Sequence, residues 1–144
     1  MPGNNEPIYS RVGDVSSNGT TGMATTLTTA TGDYTGVSAN HQLVFTADST
    51  NGGYVQKLRF QATGTNTASV ARIYLNNGST AGTATNNSFY GQISLPGTTA
   101  INTAATTEID YPMNLALNPG FRIYVGLGTT VAAGWVCVCV GGKY

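Results

Sequence analysis

Tyr54-Val55-Gln56-Lys57-Leu58-Arg59-Phe60-Gln61-Ala62 is the stretch that decides the fold. Successive side chains of an extended chain point to opposite faces, so Leu58, Phe60 and Ala62 fall on one side and Lys57, Arg59 and Gln61 on the other. An apolar face backed by a charged one predicts a strand with a core beneath it. Working outward, residues 69–75 repeat the pattern, with Ala71, Ile73 and Leu75 set against Arg72 and Tyr74. Leu43 and Phe45 are predicted to share a face within 41–47. Phe89, Ile93 and Leu95 are expected inward within 89–95, and Phe121, Ile123, Val125 and Leu127 within 121–127. Turn chemistry punctuates these runs. Asn51-Gly52-Gly53 and Asn76-Asn77-Gly78 tolerate positive φ, Pro96-Gly97 ends a strand, and Asn118-Pro119-Gly120 carries the residues of a type II turn. Pro112, between the runs 107–111 and 113–117, argues for a bend or a sheet edge. No helical stripe and no repeat of domain-building length interrupts the pattern. About eight short strands within 37–144 predict an all-β, antiparallel, jelly-roll-like β-sandwich.

The last apolar run, 134–140, differs from the others because both its faces are hydrophobic. Trp135, Cys137 and Cys139 line one side; Val136, Val138 and Val140 line the other. A strand of this kind is central, and its second face needs a partner from the same chain or another subunit. Ahead of the sandwich, fifteen of the twenty-one residues 16–36 are Thr, Gly, Ser or Asn. Residues 1–36 are therefore predicted as an extended arm, with too little apolar surface to fold alone. Its anchors onto a partner or a neighbouring subunit are expected to be Ile8, Tyr9, Arg11, Val12, Met23 and Leu27. Tyr74 and Tyr124 fall on the polar faces of their strands and, with Val136 and Val138, are the candidates for a subunit interface.

Composition narrows the function classes. The chain has 144 residues, enough for one domain with its own core. Only 8% are charged, against about 25% in typical soluble domains, and six basic residues cancel six acidic ones. A nucleic-acid binder needs a cationic surface that releases counterions, and Arg11, Lys57, Arg59, Arg72, Arg122 and Lys143 are scattered. No nucleic-acid partner is expected. No apolar run approaches the ~18 residues of a membrane span, so no membrane partner is expected either, and the start of the chain lacks a secretory pattern. A polar, uncharged surface suits a protein packed in an assembly, where docking desolvates few charges.

The candidate chemistry is thin. His41 is the only histidine and has no patterned nucleophile. Glu108 and Asp110 share a strand face at i and i+2; a glycosidase pair comes from opposite walls of a cleft, so the solvent side of a half-buried strand accounts for them better. Gly126-x-Gly128-Thr129-Thr130 lacks the Lys and the following helix of a phosphate loop. Cys137 and Cys139, spaced i and i+2 on a strand, have poor disulfide geometry and read as small buried hydrophobes. No catalytic residue, cofactor or metal site is predicted.

Three segments carry a family resemblance: Tyr54-Val55-Gln56-Lys57-Leu58-Arg59-Phe60, Ala71-Arg72-Ile73-Tyr74-Leu75-Asn76-Asn77-Gly78 and Tyr111-Pro112-Met113-Asn114-Leu115-Ala116-Leu117. Together with the ending from Pro119-Gly120-Phe121 to Ala133-Gly134-Trp135, they resemble small head-associated proteins of tailed bacteriophages. The likeness spans about residues 41–144 and is one of texture and order, with no catalytic signature. It implies a decoration, or cement, protein: a β-sandwich on the outer capsid surface, commonly a homotrimer with extended arms, bound to the major capsid protein. Such a protein is made in the host cytoplasm and resides in the virion. A receptor- or carbohydrate-binding β-module of a phage fibre or tail has a similar composition.

Overall fold

The computed structural model describes residues 26–144 together with the backbone of Val12–Ser16. Among the described residues, nine strands form two antiparallel sheets: β1 (Val12–Ser16), β2 (Thr26–Leu27), β3 (Gln42–Thr46), β4 (Gly53–Ala62), β5 (Ser69–Asn76), β6 (Asn87–Leu95), β7 (Glu108–Leu117), β8 (Arg122–Leu127) and β9 (Trp135–Lys143). One short 3-10 turn, Ala84–Asn86, precedes β6. The first sheet runs β1-β9-β4-β7, with β2 also on β9; the second runs β3-β8-β5-β6. Strands pair as nested hairpins: β5 with β6, β4 with β7, β3 with β8, and β1 with β9. The described strands form one long antiparallel ribbon folded over on itself, the topology of a jelly roll.

The inner faces build the core. Leu58 and Phe60 of β4, Ile73 of β5, Ile123, Val125 and Leu127 of β8 and Trp135, Cys137 and Cys139 of β9 are all fully buried. The two cysteines are not joined in a disulfide, and burial, then the neighbouring Cys139, pushes the Cys137 thiol well above its ordinary value. Turns follow the sequence. Gly120 has φ 75 and the Phe121 amide donates to the Asn118 carbonyl at 3.1 Å, closing the Asn118-Pro119-Gly120 turn. β7 is the edge of its sheet, as Pro112 requires.

Two inward assignments are corrected, for one reason. Between Leu43 and Phe45 the register against β8 shifts by one residue. Phe45 pairs with Ile123 and is buried, whereas Leu43 pairs with Tyr124 on the opposite face. Between Ile73 and Tyr74 the pairing with β6 shifts as well, so Phe89 lies opposite Tyr74 on the outer face and is 39% exposed. A bulge inserts one residue and exchanges the faces of everything beyond it.

The segment expected as an arm divides. Ile8, Tyr9, Arg11 and Met23 lie outside the described residues, and of Val12 only the backbone is described. Val12–Ser16 pairs with β9 from Lys143 to Cys139, and Thr26–Leu27 continues along the same edge at Val136 and Trp135. From Thr26 onward the chain belongs to the sandwich. Leu27 is core, the Thr31 amide donates to the Leu127 carbonyl at 2.9 Å, and Val131 donates to Thr28 at the same length. Burial of Leu27 and these backbone bonds replace the partner that an isolated arm would need.

Candidate contact site

The outer face of the β3-β8-β5-β6 sheet is covered by residues 30–40, which cross it between β2 and β3. An Asx turn shapes this segment. The Asp33 carboxylate accepts from the amides of Thr35 at 3.0 Å and Gly36 at 2.8 Å. Three side chains from the sheet then pin it. The Tyr74 hydroxyl donates to the Asp33 carbonyl at 2.7 Å, Arg72 Nη1 donates to the same oxygen at 3.3 Å, and Asn87 Nδ2 donates to the Gly36 carbonyl at 3.2 Å. Gly36 has φ 75, and a Cβ there would press on the Tyr74 ring, so only glycine allows so close an approach.

The pinned turn presents Tyr34, 55% exposed, against two sheet residues. The Arg72 guanidinium lies 4.2 Å from the Tyr34 ring centroid, and Phe89 stands at 88° to that ring with 5.2 Å between centroids. Tyr74 links them from below, 5.7 Å from Phe89 and 4.4 Å from His41. Arg72 joins none of the ion pairs found among the described residues. The result is a preorganised cluster of tyrosine, phenylalanine and arginine, the side chains that dominate binding hot spots.

The outer face of the other sheet is built differently. Register places Val136, Val138 and Val140 of β9 beside Gln61, Arg59 and Lys57 of β4, with Glu108, Asp110 and Pro112 of β7 beyond. Lys57 and Arg59 bind Asp110 at 2.7 and 3.0 Å, and Arg59 reaches Glu108 at 3.1 Å. The Arg59 hydrogen bond, then that of Lys57, holds the Asp110 carboxyl below its ordinary value. Two cations and two carboxylates thus neutralise each other beside a half-buried valine row. Glu108 and Asp110 are committed to this ladder.

Of the interface candidates, Val136 and Val138 stand in that row, half-buried, and Tyr124 is half-buried on the outer face of β8. Tyr74 differs from expectation: it is fully buried beneath residues 30–40 and His41 of its own chain, so it holds the covering segment rather than facing another subunit. Tyr34 and Phe89 were not singled out by the sequence. Tyr34 sits in a low-complexity stretch, and Phe89 turns outward only because of a bulge. Among the described residues, no three His, Cys, Asp or Glu side chains cluster to hold a metal, and no helix is long and apolar enough to cross a membrane.

Comparison with known proteins yields no match: no family model matches the chain, and no curated protein or solved structure does.

Proposed function

We propose that this chain is a structural, non-enzymatic protein of the tailed-phage virion, a decoration protein that binds the outer capsid surface through the major capsid protein, as a homotrimer. The observation that carries the reading is the outer face of the β1-β9-β4-β7 sheet. A row of valines lies beside charges that are already paired within the chain. A partner docking there buries apolar surface without leaving an isolated charge, the arrangement that suits a permanent contact in a lattice. The low charge of the whole chain and the resemblance of residues 41–144 to head-associated proteins support the same reading. The experiment is to add the purified chain to phage heads that lack it and image them. Regular extra density at lattice positions, with raised heat resistance of the heads, is expected. Heads that stay bare at saturating protein overturn the reading, as does a Val138→Glu variant that decorates as well as the parent.

A second reading is favoured by one observation, the exposed Tyr34–Phe89 pair with Arg72 beside it. Aromatic rings framed by hydrogen-bonding groups suit a carbohydrate of the host surface, as in a fibre or tail module. Saccharide-array binding that disappears in Tyr34→Ala, with no decoration of heads, selects this alternative.

A further inference from the structure

His41 is the chain's only histidine, and it is half-buried. Both nitrogens are shielded from solvent and make no hydrogen bond of good geometry, although the Gly36 carbonyl lies close enough to favour the protonated ring. The ring tilts against Tyr74 at 37° with 4.4 Å between centroids. It also lies over Gly126, where a Cβ would collide with the imidazole and with the Thr31 methyl. The cover is the 30–40 segment, anchored to the sheet through the Asp33 and Gly36 carbonyls. Asp33 from that segment and Arg72 and Tyr74 from β5 are the titratable and charged groups that face the ring, while β8 presents the Gly126 backbone. The Asp33 carboxylate is engaged by its own turn. A proton on His41 therefore finds only the Gly36 carbonyl and a carboxylate already engaged by its own turn, it meets a like charge in Arg72, and the loss of water outweighs them.

We infer that the 30–40 segment is an acid-released latch: a proton on His41 drives it off the sheet, uncovers Tyr74 and breaks the Tyr34–Arg72–Phe89 cluster. The charged imidazole regains water only when the cover opens, because burying an unpaired charge costs far more than burying the neutral ring. Burial holds the closed-state ring below its ordinary 6.5; the Gly36 carbonyl and Asp33 pull the other way, and Arg72 lowers it again. The open state takes up a proton near that ordinary value, and the closed state only below it. The latch is thus fully shut above 6.5, loosens as pH falls toward the closed-state value, and levels off beneath it. None of this depends on where the protein acts, so the latch can fail while the capsid reading stands, and the reverse.

The test uses the full chain and its single imidazole NMR signal. Amide exchange is followed from pH 7.5 to 5.0 (both approximate working limits around the histidine range) and corrected for the intrinsic rate. Protection at Thr31, Thr35 and Gly36 is expected to fall several-fold as the His41 signal titrates, with a midpoint below 6.5, while β4 amides keep theirs. His41→Leu, or His41→Gln should the first not fold, is expected to remove the pH dependence. Protection that stays constant, an equal loss in the non-titrating variant, a loss shared by β4, or a His41 midpoint at or above the ordinary value each overturns the latch.

Discussion

Asn66 and Thr98 hold each other by three bonds: reciprocal backbone contacts of 3.0 and 2.9 Å, and Asn66 Nδ2 donating to Thr98 Oγ1 at 3.3 Å. The same Asn66 side chain accepts from the amides of Ala133 at 2.9 Å and Gly134 at 2.6 Å, and donates to the Gly134 carbonyl at 3.0 Å. One buried amide thereby ties the loops after β4, β6 and β8 together at one end of the sandwich. Asn66→Ala leaves two buried backbone N–H groups without an acceptor and is expected to cost about 2–4 kcal/mol. Asn66→Asp keeps the acceptor but presents a carboxylate to the Gly64 and Gly134 carbonyls, so it is expected to destabilise too. Urea midpoints of the two variants check this; a parental midpoint in either removes Asn66 as the tie.

Trp135 is the largest fully buried side chain. Trp135→Ala should cost about 3–5 kcal/mol through lost burial and the cavity left behind. Trp135→Phe should cost clearly less, because the indole Nε1 has no protein partner and its removal orphans no acceptor. Denaturation followed by circular dichroism avoids the lost fluorophore and ranks the two.

The Arg59–Asp110 contact makes a pH statement with a definite sign. Hydrogen bonds from Arg59 and then Lys57 favour the ionised Asp110 carboxylate, so its contribution is present above the ordinary value of 3.8 and fades as pH falls through the depressed one. Carboxyl-carbon NMR should place the Asp110 midpoint below 3.8, and Arg59→Gln should move it upward. The ladder is solvent-exposed, so stability at neutral pH is expected to change little in that variant.

Gly126→Ala tests the packing under residues 30–40 without adding or removing a titratable group. The added methyl meets the His41 ring and the Thr31 side chain. Exchange protection of the Thr31 amide, which donates to Leu127 at 2.9 Å, is expected to drop at neutral pH while β4 and β9 keep theirs. Unchanged protection at Thr31 means that the ring shifts aside and the cover is not set by this contact.

Strand-by-strand alternation made the two layers legible, since Leu58, Phe60, Ile73, Ile123 and Val125 each follow a period of two without interruption. It failed at Leu43 and Phe89, where bulges shift the count and no local residue pattern announces them. Asn66 was invisible for another reason: one asparagine in an Asn- and Thr-rich chain looks like any other until three distant loops converge on it. The Tyr34 cluster was hidden likewise, because the sequence of residues 16–36 carries no periodicity, and the placement of Asp33 and Gly36 depends on Arg72, Tyr74 and Asn87 far along the chain.

The nested ribbon has a kinetic meaning. The β5·β6 hairpin closes a short stretch of chain, and each pair outside it encloses a longer one, ending with Val12 opposite Lys143. Loop-closure entropy rises only slowly with length, by about 0.6 kcal/mol per doubling. The sandwich can therefore zip from its tip, each hairpin bringing the next pair of strands within reach, and the joining of first and last strands is the natural final event. Until that moment β9, apolar on both faces, lacks one neighbouring strand along its whole length, and in a crowded cell that open edge is the hazard a nascent chain must outrun.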